Sequence, residues 1–411
     1  MIDIKFIRNN PEAVKELCSK RGFDVDVERL ISVDKELNAK KTELDQLRGE
    51  SNRVAATQDR EKGKEIKIQI NKLKELTDEL LIERDKLWAQ LPNLLAEDTP
   101  DGKDDSENVE LRKVGEMPKF DFEPKTHDVI GADLDILDLQ RGTKVAAAGY
   151  YYWKGDGARL VWAIYRHAMD MLVERGFELM LTPIVAKKQT FFGTGYLPFG
   201  EEDLYKLEKE ELYLIGTSEQ TLVSYHDDEI LQPDTLPRLY TAFTPCFRTE
   251  AGSYGRKSKG AFRVHQFHKV EQIIFCRPEE SEKWHMECQK NVEDFMQSLE
   301  LPYRVVRVCI GDMGAPGYKK YDVEGWFSGF QEYRETHSNT NLLDFQTRRL
   351  NTRCKEEGNT FYPHTISSTM VTDRAALAII ENNQQADGSV IIPKVLRKYM
   401  NGQEKIVKKL K

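Results

Sequence analysis

Between residues 27 and 94 the apolar positions recur in steps of three and four. Leu30, Val33, Leu37, Leu44, Leu47 and Val54 form one run, and Ile66, Ile70, Leu73, Leu80 and Leu87 form a second. The stretch has no proline before Pro92 and only two glycines, Gly49 and Gly63. Two heptad helices around a polar break at 56–64 predict an antiparallel coiled-coil hairpin. Each helix of about 30 residues would extend roughly 45 Å. The repeat weakens where Lys41, Ser51, Thr77 and Arg84 take seam positions. Ahead of this arm, Ile2, Ile4, Phe6 and Ile7 lead into a short helical stretch from Asn10-Pro11 towards Leu17.

The pattern changes after the arm. Residues 95–125 are rich in acids and glycines without an apolar period, which predicts a loop. A helix is predicted from Gly157 to Arg175, with Leu160, Ile164, Ala168 and Leu172 on one face and Gly176 as its stop. Phe177 to Pro183 reads as a strand. Later strands are separated by long non-periodic connections. The class is α+β: an N-terminal helical domain with a coiled-coil arm, then an antiparallel sheet flanked by helices. The expected domains are 1–110, with its arm at about 27–94, and 111–411.

Composition narrows the function. The 411 residues carry 61 Lys and Arg against 69 Asp and Glu, a net charge of −8. That argues against a protein that coats nucleic acid generally. Residues 48–74 depart from it, with eight cations against four acids. Two readings stay open: an ordinary solvated helix surface, or a limb that grips a phosphate backbone through Arg48, Arg53, Arg60, Lys62, Lys64 and Lys67. The six cysteines form no CxxC pair, so buried free thiols are expected rather than a zinc site. No run of 18 apolar residues suggests a membrane span. The N-terminus has no signal-peptide core, so the cytoplasm is the expected location. Neither a P-loop nor a Rossmann glycine fingerprint occurs.

The chemistry concentrates in residues 247–271. Arg248 and Glu250 lie on one segment, Phe267 and Glu271 on another. Gly252, Gly255 and Gly260, with Arg256, Lys257, Lys259 and Arg263, separate them. Alternation around Phe262, Val264 and Phe267 predicts strand, cationic loop, strand. A basic loop between strands suits a polyphosphate and a nucleic-acid end. Upstream, the apolar run Leu214-Ile215 ends in Thr217-Ser218-Glu219, a common pattern at a helix N-terminus, whose hydroxyls and carboxylate also suit a small zwitterion. Downstream come Glu335-Thr336-His337-Ser338 and the segment His364–Arg374, a strand leading into a helix.

In this order the segments resemble class II aminoacyl-tRNA synthetases, in the form seen in the seryl-tRNA synthetase family. The resemblance runs over nearly the whole chain. It implies ATP-dependent activation of L-serine and transfer to tRNA(Ser), with Mg²⁺ as cofactor; it leaves open whether tRNA(Sec) is also charged. It implies that Arg248, Arg374 and Glu335 are catalytic. ATP would be held by Arg248, Thr249, Glu250, Val264, Phe267, Glu335, Thr336, His337, Ser338 and Arg374. Serine would meet Thr217, Ser218, Glu219, Arg248, Glu271 and Thr369. Glu335 and Ser338 would take the metal, a hard-oxygen set that suits magnesium. The helix and strand ending at Pro183 would build a homodimer interface, and the arm would bind tRNA. The chain departs from the family pattern at His337, Asn339 and Ser367, and its last motif is one residue shorter. Three alternatives follow: an amino-acid-activating paralogue with another acceptor, a tRNA-binding regulator without catalysis, and a coiled-coil scaffold.

Overall fold

In the computed structural model of the chain, residues 1–57, 59–251 and 260–409 are described. They form two compact units, 1–94 and 95–411.

The first unit is helical. α1 (Ile4–Asn9) and α2 (Pro11–Lys20) precede two long helices, α3 (Val27–Thr57) and α4 (Arg60–Ala89). Asp59 caps α4, its carboxylate accepting the Lys62 N–H at 3.1 Å. The predicted break at 56–64 is thus shorter: helix resumes at Arg60 because a cap, not apolar periodicity, sets its start. Leu30, Val33, Leu37, Leu44, Val54, Ile66, Leu73, Thr77 and Leu80 are buried in the seam. Thr77 fits there because its hydroxyl donates to the Lys74 carbonyl at 2.8 Å. Arg84, another weak seam position, faces the buried Asp34, which also pairs with Arg8. At the base Ile2, Ile7, Val14, Cys18, Val27, Leu30 and Leu91 form a small apolar cluster.

The second unit is built on an eight-stranded sheet: β1 (Val109–Val114), β2 (Glu178–Met180), β3 (Arg238–Phe247), β4 (Gln266–Cys276), β5 (Tyr303–Arg307), β6 (Lys319–Phe327), β7 (Glu332–Leu343) and β8 (His364–Thr372). The spatial order is β1-β5-β6-β7-β8-β4-β3-β2. All neighbours are antiparallel except β2 and β3, which run parallel. α5 (His127–Asp133), α6 (Gly155–Glu174), α7 (Ser281–Ser298) and α8 (Arg374–Asn382) belong to the same unit. Leu160, Ile164, Ala168 and Leu172 of α6 are buried, as their spacing predicts.

Several expectations need correction. The loop read over 95–125 contains β1, an edge strand whose residues are mostly exposed. A strand without a buried face has no alternation to detect. Residue 110 lies within this strand, and the compact units divide at 94/95. The strand from Phe177 to Pro183 shrinks to Glu178–Met180. Phe262 and Val264 are not in a strand; β4 begins at Gln266, and Phe262 and Val264 line a turn instead. The loop residues Gly252, Gly255, Arg256, Lys257 and Lys259 lie outside the described residues. All six cysteines are buried and free. No helix among the described residues is long and apolar enough to cross a membrane.

Candidate active site

A cavity of about 510 Å³ opens on one face of the sheet. Eleven of the residues singled out from the sequence line it: Glu219, Arg248, Glu250, Val264, Phe267, Glu271, Glu335, Thr336, Ser338, Thr369 and Arg374. They come from 156 positions of chain, gathered because β3, β4, β8 and β7 are neighbours in the sheet.

At one end sits a buried polar cluster. Glu271 on β4 is opposite Thr369 on β8 in the strand register. Its carboxylate accepts from Thr217 Oγ1 at 3.0 Å and pairs with Lys269. Glu219 is half-buried in the cavity wall. It accepts from Gln346 Nε2 at 2.7 Å and from the Tyr196 hydroxyl at 3.3 Å. Burial, and then the nearby Glu271, raise its pKa above the ordinary carboxylate value. The cluster therefore carries an excess of carboxylate held away from water, which favours an incoming ammonium group.

Glu219 stands at a helix start and also lines the cavity. It is the first residue of a short helix, Glu219–Val223, and its side chain points into the cavity. Thr217 does not line the cavity but orients Glu271. Ser218 does not reach the cavity either; it is fully buried at the helix start.

Arg248 lies in the middle. Its guanidinium stands 5.3 Å from the Phe267 ring centroid, and Nε donates to the Gly216 carbonyl at 3.3 Å. Glu250 has a left-handed backbone, φ 54°, and pairs with Arg263 at 2.5 Å. Thr249, expected at ATP, turns away instead: its hydroxyl donates to the Glu202 carbonyl at 2.5 Å.

The other end holds Glu335 and Arg374, whose side chains approach to 3.3 Å; the same Arg374 nitrogen donates to the Glu335 carbonyl at 2.7 Å. Partial desolvation in the cavity mouth opposes charge on the half-exposed Glu335, but Arg374 and Lys320 outweigh it and hold its pKa below the usual value. Phe262 supports Arg374 from below, ring centroid 4.4 Å from the guanidinium carbon.

A bulge decides which side chains of β7 face the cavity. Register shifts between Val323 and Glu324 of β6, so Thr336 is an extra residue. Without it Glu335 and Ser338, three positions apart, would point to opposite faces; with it they share one. Ser338, Thr340 and Leu342 then follow along the cavity side. His337 and Asn339 take the opposite side. Asn339 donates to the His285 carbonyl of α7 at 3.0 Å, and His337 packs 6.3 Å from Phe295. His337, expected among the ATP contacts, is therefore a buried wall residue. Burial lowers its pKa to about 3, so it stays neutral. Of the departures from the family pattern, Ser367 alone borders the cavity.

Sequence reading missed Lys269, Lys320, Asp373 and Tyr196, all in the cavity wall. Lys269 was within reach of a pattern argument, since it precedes Glu271 by two on one strand and so shares its face. Lys320 was not, because its placement depends on pairing with Thr340 across the sheet. Among the described residues no group of three or more His, Cys, Asp and Glu side chains is arranged to hold a metal by itself. Glu335 and Ser338 supply two oxygens on one face, which fits a magnesium ion that takes its remaining ligands from water and phosphate.

Comparison with known proteins agrees with this geometry. Residues 1–95 match the seryl-tRNA synthetase N-terminal domain, and residues 204–383 match the class II tRNA synthetase core domain (G, H, P, S and T). The serine--tRNA ligase of Dictyoglomus turgidum is 42% identical over 421 residues, covering 98% of this chain and 99% of that protein. That of Rubrobacter xylanophilus is 40% identical, with 99% of both covered. The crystal structure of seryl-tRNA synthetase from Pyrococcus horikoshii, complexed with ATP, superposes with a TM-score of 0.92 at 38% identity over 100% of both chains. The Giardia lamblia prolyl-tRNA synthetase, at 15% identity and a TM-score of 0.59, shares the fold over 66% of this chain and 56% of its own. By full-length identity and coverage, the chain belongs to the seryl-tRNA synthetase family.

Proposed function

We propose that this protein is a serine--tRNA ligase: it activates L-serine with ATP and transfers the seryl group to the 3′ end of tRNA(Ser). The observation that carries the reading is the single cavity in which Arg248, Glu335 and Arg374 lie beside Glu219, Glu271 and Thr369.

In the first step the serine carboxylate attacks the ATP α-phosphorus and pyrophosphate leaves. Both reactants are anionic at the point of attack. A rigid guanidinium between them, Arg248, lowers their repulsion and aligns them. Arg374, held on the Phe262 ring, takes the far phosphate, and Phe267 offers an aromatic face to the purine. Glu335 and Ser338 would hold Mg²⁺, which when bound adds positive charge on the phosphate oxygens. Glu271, Glu219 and Thr369 take the serine ammonium and hydroxyl. An amino acid lacking the hydroxyl would leave buried polar groups unpaired, which penalises it. No side-chain nucleophile is needed.

The exposed cations of α3 and α4, Arg48, Arg53, Arg60, Lys62, Lys64 and Lys67, support a tRNA-binding arm. Three of them, Arg48, Lys62 and Lys64, make ion pairs with neighbouring acids at 3.2–3.8 Å, which phosphates could replace. Trp162 and Leu181 are 58% and 91% exposed on the motif expected at a homodimer interface, and with Val173 and Leu179 they support a dimer. A cytoplasmic location accords with the substrates.

The test is ATP–pyrophosphate exchange across the twenty amino acids with Mg²⁺. Exchange with serine alone is expected. Exchange with another amino acid would mean that Ser367 has reshaped the pocket; none at all would favour a tRNA-binding protein without catalysis.

A further inference from the structure

His127 opens α5, more than a hundred positions ahead of the cavity residues it touches. Its side chain is completely buried. The ring nitrogen Nε2 accepts the backbone N–H of Ala261 at 3.1 Å. Nδ1 lies 2.7 Å from Glu381 Oε1, and the His127 backbone N–H donates to the same oxygen at 3.0 Å. The other Glu381 oxygen accepts from Gly329 N at 2.8 Å. An Nε2 that accepts from a peptide N–H carries no proton. The ring proton therefore sits on Nδ1, facing Glu381, which also fixes the ring's orientation.

The contact leaves no slack. Gly260 has φ +72°, and a Cβ there would come within 2.2 Å of His127 Nε2. Phe330 packs against the imidazole, centroids 5.7 Å apart. Beyond Ala261 the chain enters the cavity wall as Phe262, Arg263 and Val264. Phe262 stacks under Arg374, and its carbonyl accepts from Arg374 Nε at 3.4 Å. On another side Arg334 approaches both Phe262, at 4.9 Å, and Phe330, at 3.8 Å. One chain of contacts thus joins Glu381, His127, the Ala261 amide, Phe262 and Arg374.

We propose that His127 is a positioning residue of the adenylation site: by accepting the Ala261 amide it sets the wall 261–264, and through Phe262 the guanidinium of Arg374. The inference rests on the proposed function and adds a residue that the sequence resemblance did not name. It acts on the ATP end of the cavity and leaves the Glu219–Glu271 cluster untouched.

His127→Phe separates this role from packing, since it keeps a ring against Phe330 and removes both polar contacts. Pyrophosphate exchange on the full chain should show the KM for ATP raised about tenfold, as expected for a buried amide left unpaired, with the KM for serine within twofold of wild type. Gly260→Ala presses on the same contact from the other side and should raise the ATP KM likewise; it serves alone if His127→Phe does not fold. An ATP KM within twofold of wild type in a folded variant would overturn the proposal. So would equal rises in both KM values, which would indicate a general loss of structure. Wild-type protein without serine-dependent exchange would instead overturn the proposed function, and this inference with it.

Discussion

The arm and the cavity are built on opposite principles. In the arm the seam residues pack against the neighbouring helix at a spacing written in the chain itself. Val54 meets Gly63, and Arg29 pairs with Glu83, as an antiparallel hairpin requires. In the cavity the residues that line one wall span 156 positions of chain, from Glu219 to Arg374, and most are brought together by strands that are distant in sequence. The arm presents exposed charge that water screens. The cavity holds charge where burial makes each pairing strong and each missing partner costly. Damage to the arm should therefore weaken binding by degrees, whereas damage to the cavity should stop the chemistry.

The largest expected effect follows from that contrast. Arg248→Ala should reduce serine-dependent pyrophosphate exchange by at least about 10³-fold, because it removes the cation between two anions. Binding of tRNA, measured by filter retention, should stay within a few-fold. Substantial exchange by this variant would remove Arg248 from the mechanism.

Next comes the reverse experiment. Replacing Gly49–Ile66 by a short Gly/Ser turn shortens both helices of the arm together and takes out Arg53, Arg60, Lys62 and Lys64. Serine activation should persist within about twofold, while charging of tRNA falls on the order of 10²-fold as the phosphate contacts disappear. Normal charging by the shortened protein would show that the arm does not bind tRNA.

Acid should divide the two regions in a different way. All eight histidines lie beyond residue 126. Burial lowers His167 and His285 to about 4 and His337 to about 3. These imidazoles stay neutral in the fold and take up protons on unfolding. From pH 6.5 down to those values the unfolded chain binds more protons, so this contribution is intact above 6.5 and is lost as pH falls. Each histidine adds at most about 1.4 kcal/mol per pH unit. Four of the five tryptophans, Trp153, Trp162, Trp284 and Trp326, report on the same unit. The urea midpoint of tryptophan fluorescence should drop from pH 7 to pH 5. A midpoint that does not move with pH would contradict the neutral, buried histidines.

The smallest effect belongs to a single arm cation. Lys64→Ala should raise the KM for tRNA about threefold and lessen the salt dependence of charging by about one unit of slope. An unchanged salt slope would place Lys64 away from the phosphate backbone.

Much of this molecule could be read from the chain alone. The helical seam was legible because its period is local: residues three and four apart share a face whatever lies around them. The identity of the charged and aromatic groups was also fixed there, in the spacing of Arg248, Phe267 and Glu271. Their faces were not. Strand alternation would set Glu335 against Ser338, and only a bulge formed against β6 brings them together and sends His337 into the wall. The edge strand β1 escaped notice because it buries almost nothing. The contact of His127 with Ala261 had no signal in the sequence, since nothing local links a residue at the head of α5 to a turn 134 positions later. Local periodicity determines what a segment can become; which side chains meet is decided when the sheet closes, because register and burial are properties of neighbours the segment does not contain.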